Sequence, residues 1–128
     1  MENSEQEILE VIKEWNDRFT NNDTEGYFTH IHNDLTLFTP SSPYRIDGKQ
    51  DDREEFEWSL KRSKTKVHFF QELQPHIQVY GNSAIVTYYT RGAYGPDSSE
   101  QIHYLKETNV LVKENGKWQI VHIHVSKT

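Results

Sequence analysis

The chain has 128 residues, with 20 Asp and Glu against 14 Lys and Arg for a formal charge of -6, and it has no cysteine. The length suits a single domain over residues 1–128 with its own core, and the missing cysteines exclude disulfides, a thiolate nucleophile and Cys-ligated zinc. The acidic balance speaks against a phosphate-backbone partner, and no apolar run reaches the ~18 residues a membrane span needs. No nucleic acid, no membrane and a cytoplasmic location are therefore expected.

The first expected element is a helix, opened by Ser4 and Glu7 as an S-x-x-E capping box, with Ile8, Ile12, Trp15 and Phe19 recurring on one face. Asn21, Asn22 and Asp23 end it, and Thr24 is placed to cap a short second helix carrying Tyr27, Phe28 and Ile31. His30 and His32 flank Ile31 there, in capping or surface roles. Leu35 to Phe38 reads as a short strand and Pro40 to Gly48 as a loop. A third helix is expected from Asp51 to Ser63, with acids in its first turn and the bases Lys61 and Arg62 at its end, as the helix dipole favours. The acidic stretch from Asp47 to Asp52 lacks calcium-loop spacing and reads as a turn and helix start.

From Val67 onward the pattern is strand: Val67 to Tyr80, Ile85 to Tyr94, Gln101 to Lys113, and a closing run through Ser126. The breaks are Gly81-Asn82, Gly95 to Ser98, and Glu114 to Gly116, while Pro75 implies a bulge or an edge near His68 and His76. Helices followed by an antiparallel meander predict an α+β fold: a cone-shaped, curved antiparallel or mixed sheet with three N-terminal helices on its concave face.

The order of elements resembles the cone-shaped fold shared by nuclear transport factor two, ketosteroid isomerase and the SnoaL-like polyketide cyclases. Gln74 to Gly81, Glu107-Thr108, and the run from Gly116 through Trp118, His122 and His124 to Ser126 are similar to the association (hub) domain of calcium/calmodulin-dependent protein kinase II. Weaker agreement at Thr36 to Pro40 and in the first helix extends the resemblance over nearly the whole chain. It implies a stand-alone domain that forms a homodimer or a higher homo-oligomer and has a conical pocket. Two positions depart from the family patterns. Thr39 precedes Pro40 where ketosteroid isomerase has its general-base aspartate, and Asn109 follows Glu107-Thr108 where the hub domain has a ligand-binding arginine. Arg91 falls near a second pocket arginine of that family. No glycine-rich loop, H-R-D or D-F-G element is present, so only the assembly module is represented.

Two sets of site residues follow. If residues 114–116 form a three-residue loop with a bulge, Asn109 and Leu111 share the inner face with Gln119, Val121, Ile123 and Val125. Trp118, Ile120, His122, His124 and Ser126 then share the outer face, as a subunit interface; a two-residue turn reverses the assignment. The inner set for a small organic acid or apolar ligand is Tyr27, Phe38, Trp58, Tyr89, Arg91, His103, Glu107 and Asn109, with Phe56 as a further wall. The alternative function is a small cyclase, isomerase or hydrolase using His103 or Glu107 as general base, with Tyr89 or Arg91 stabilising charge. His122 and His124 lack a third ligand at suitable spacing, so no metal and no cofactor are expected.

Overall fold

The structure, a computed structural model, describes residues 2–63, 66–95 and 101–128. Its elements are α1 (Glu2–Thr20), α2 (Thr24–Thr29), β1 (Ile31–Phe38), β2 (Ile46–Asp47), α3 (Lys49–Ser63), β3 (Lys66–Tyr80), β4 (Ser83–Gly95), β5 (Ile102–Glu114) and β6 (Lys117–Lys127). The strands make one open six-stranded sheet in the order β2-β1-β6-β5-β4-β3, antiparallel except for the parallel pair β1 and β6. This is the α+β architecture expected. Among the described residues no helix is long and apolar enough to cross a membrane.

Helix α1 buries the predicted stripe: Ile8, Ile12 and Trp15 are in the core, and Phe19 meets Phe70 of β3 edge-on at 5.3 Å. The capping box is a correction, because the helix starts at Glu2, ahead of Ser4. Glu7 instead accepts a hydrogen bond from Trp118 Nε1 at 3.2 Å and lies 3.6 Å from Lys113 Nζ. The cap of α2 is Asp23, not Thr24; its Oδ1 accepts the Gly26 amide at 3.0 Å, satisfying a first-turn donor. His30 closes that helix, buried with its Nε2 3.2 Å from Glu14, and Ile31 opens β1 opposite Ile120 rather than ending a helix. His32 Nε2 lies 2.8 Å from Glu114.

Two turns set the meander. Tyr80 pairs with Ser83 across Gly81-Asn82, and Glu114 pairs with Lys117 across Asn115-Gly116. Asn115 and Gly116 both have positive φ, 53° and 75°, the type I′ pattern whose twist matches a two-residue hairpin. The loop is therefore not three residues long. The bulge placed there by sequence occurs further on: Leu111 faces Ile120 but Val110 faces His122, so Val121 is the extra residue. Trp118 and Ile120 accordingly share the helix-covered face with Ile123 and Val125, while His122 and His124 lie on the other. A second bulge, with Gln74 at φ 54°, sits before Pro75 on the edge strand β3. The break expected at Gly95 to Ser98 falls largely on residues 96–100, outside the described residues. The short β2 lies within the segment read as a loop.

Candidate functional site

The β4/β5 register puts Tyr88, not Tyr89, opposite Glu107 on the inner face. The Tyr88 hydroxyl is 2.8 Å from Glu107 Oε2 and 2.6 Å from Asn109 Oδ1, and Asn109 Nδ2 is 3.0 Å from the same Glu107 oxygen. All three side chains are buried. Three polar contacts close a ring, and each needs its own proton. An ionised Glu107 leaves two donors, the single Tyr88 proton and the Asn109 amide; a protonated Glu107 supplies the third. Reversing the Asn109 amide does not change that count. Burial drives the Glu107 carboxyl upward from the ordinary range, against the opposing hydrogen bonds from Asn109 and Tyr88, in the same direction as the donor count. Burial, with Glu107 beside it, also pushes the Tyr88 phenol well above its ordinary range.

A second acid faces the same interior. Asp52, in the first turn of α3, is 5% exposed, and its Oδ2 is buried without a hydrogen-bond partner among the described residues. Burial, reinforced by Glu55, raises its carboxyl to about 7, outweighing the favourable helix terminus. Tyr27 responds to both acids: its phenol is held well above its ordinary range by burial, then by Asp52 and Glu107. Its ring stacks on Phe56 at 5.4 Å and lies 5.1 Å from Trp15. Glu72 of β3 accepts the Asn16 amide of α1 at the neighbouring position. Buried acids with raised pKa can donate or take a proton near neutrality, and they can hold a cation.

Of the residues predicted from sequence for the interior, the structure gathers Tyr27, Glu107 and Asn109. Tyr89 and Arg91 are corrections: their register partners are Lys106 and Tyr104 on the outer face, Tyr89 is 48% exposed, and the Arg91 guanidinium sits over the Phe69 ring at 5.0 Å. Phe38 is likewise outside, 42% exposed, its ring 5.3 Å from that of His124. Trp58 is 54% exposed on α3. His103 shares the inner parity but lies at the end of β5, exposed and 5.8 Å from the Tyr94 ring. Asp52 and Tyr88 are the interior residues that sequence reasoning missed.

The interface set divides. Trp118 and Ile120 are buried in the core beneath α1, which corrects their expected outer position. His122 and His124 are on the uncovered face, ring centroids 6.5 Å apart, with His122 Nδ1 2.7 Å from Thr36 Oγ1. Desolvation, then the neighbouring His124, lowers the His122 pKa. Beside them an open cleft of about 300 Å³ is lined by Phe38, Thr39, Pro40, His124, Val125, Ser126 and Lys127. Among the described residues no group of three or more His, Asp or Glu is placed to hold a metal ion.

The family model of the calcium/calmodulin-dependent protein kinase II association domain matches residues 4–128. The chain belongs to this association-domain family. Within the family, it is 32% identical over 124 residues to the calcium/calmodulin-dependent protein kinase type II subunit delta of Oryctolagus cuniculus. The match takes in 94% of this chain but only 23% of that relative, so the chain spans about a quarter of the kinase's length. In three dimensions the association domain of C. elegans CaMKII is similar, with a TM-score of 0.74 and 24% identity, covering 98% of this chain and 97% of that one. An NTF2-like protein of unknown function from Pseudomonas putida gives a TM-score of 0.87 at 22% identity, covering 98% and 87%. An association domain is an oligomerisation domain, and the architecture is NTF2-like.

Proposed function

We propose that this association domain builds a homo-oligomer, at minimum a homodimer, through the outer face of its sheet. One observation carries the reading. Among the described residues seven large apolar side chains are conspicuously exposed, and five of them, Phe38, Tyr80, Tyr89, Ile102 and Tyr104, stand on that single face. Aromatic side chains gathered on an uncovered sheet are typical of a protein interface. His122 and His124 belong to the same surface. The doubly substituted chain Tyr89→Glu/Tyr104→Glu is expected to fall to monomer mass in sedimentation velocity with its circular dichroism unchanged, since interface centres tolerate buried charge poorly. A folded double variant of undiminished mass sinks this face as the contact.

We also propose that the interior acid cluster receives a small organic molecule. Buried polar groups among Tyr27, Phe56 and Trp15 support that reading, being the usual make-up of a small-ligand site. An enzyme of the cyclase, isomerase or hydrolase kind is the alternative. On that alternative Asp52 or Glu107 is the proton carrier, because His103 is exposed at a strand end.

A further inference from the structure

We propose that the interior site selects a small ammonium cation, with Asp52 as its counter-ion and the Tyr27 and Phe56 rings as its wall. This assignment rests on the interior-ligand reading above and names the class of ligand.

The charge of the interior is one-sided. The inward carboxyl groups are Asp52 from α3, Glu107 from β5 and Glu72 from β3, and among the described residues none of them forms an ion pair. Glu107 is satisfied by Tyr88 and Asn109, and Glu72 by Asn16. Asp52 alone of the three has a buried oxygen with no partner. Buried polar groups are almost always hydrogen-bonded, so this atom calls for a donor. The arginine that could have drawn an organic anion inward, Arg91, lies on the opposite face over Phe69. An anion would therefore meet acids and no cation to answer it, and a purely apolar guest would leave Asp52 Oδ2 unmatched.

An ammonium group answers both features. It brings N–H donors and a charge that makes burying an ionised carboxylate tolerable. Aromatic faces add attraction for a cation, and Tyr27 with Phe56 and Trp15 forms a continuous aromatic surface beside the acid. The groups acting on Asp52 and Tyr27 are acidic throughout: Glu55 on the same helix and Glu107 across the interior.

The test titrates the purified protein at constant ionic strength with methylammonium chloride, sodium acetate and benzyl alcohol, reading the melting temperature and tryptophan fluorescence. Methylammonium is expected to give a saturable response that disappears in Asp52→Asn and persists in Tyr89→Glu/Tyr104→Glu. In the unmutated chain its affinity should weaken about tenfold per pH unit below 7, as protons compete for the carboxylate. An equal response to acetate or benzyl alcohol, or an undiminished methylammonium response in Asp52→Asn, overturns the cation assignment and leaves a ligand site of other chemistry. Silence with all three probes overturns the interior-ligand reading as well.

Discussion

Trp118→Ala is expected to cost about 3–5 kcal/mol of stability, the range for emptying a buried aromatic site. Its indole is packed under α1 with Ile8 and Ile12 in the same core, its Nε1 donates to Glu7, and Lys113 Nζ approaches the ring at 5.9 Å. Truncation removes the apolar contacts and the hydrogen bond together and leaves a cavity between β6 and the helix. The melting temperature should fall by roughly 10–20 °C for a chain of this size. Oligomer mass at a temperature where the variant is folded should stay as it was. That pairing separates the residue from Tyr89 and Tyr104, whose replacement is expected to change mass and spare the fold. A folded Trp118→Ala chain of normal melting temperature and reduced mass would reverse the two assignments.

Sequence alone misplaces Trp118 for a local, physical reason. The alternation of β6 is legible, and the Asn115-Gly116 pair announces a hairpin, but pattern alone does not say which residue the ladder leaves out. A bulge at the turn and a bulge at Val121 put His122, His124, Ile123 and Val125 on the same faces; Trp118, Gln119 and Ile120, which lie between the two positions, exchange sides. Elements with strong periodicity were readable for the opposite reason: Ile8, Ile12 and Trp15 permit one helical face and no other. A one-residue step decided β4 as well. Tyr88 and Tyr89 are the same residue type side by side, and their roles follow from a register that the sequence does not carry. The sequence hides Asp52 behind its own local preference. An acid in the first turn of a helix is what the dipole prefers, and only tertiary burial turns that surface preference into an unmatched interior group.

Asp52→Asn should change the pH dependence of stability strongly. In the unfolded chain the carboxyl titrates near its ordinary 3.8, whereas in the native chain it titrates at about 7. Between those values the native state holds a proton that the unfolded state has released, so this group makes stability fall as pH rises, and the penalty is complete above about 7. Its full size is on the order of 4 kcal/mol. Asparagine removes the titration but keeps a buried polar group, a roughly constant cost of about 1–3 kcal/mol. The variant is therefore expected to be the less stable chain at pH 4 and the more stable one at pH 8, the difference swinging by about 4 kcal/mol between them. Urea denaturation of both chains at pH 4, 6 and 8 measures that swing directly, since the remaining titratable groups, Glu107 included, are common to both. A difference constant across the range would mean that Asp52 ionises in the native protein as easily as in water, and the interior would lose its one unmatched acid.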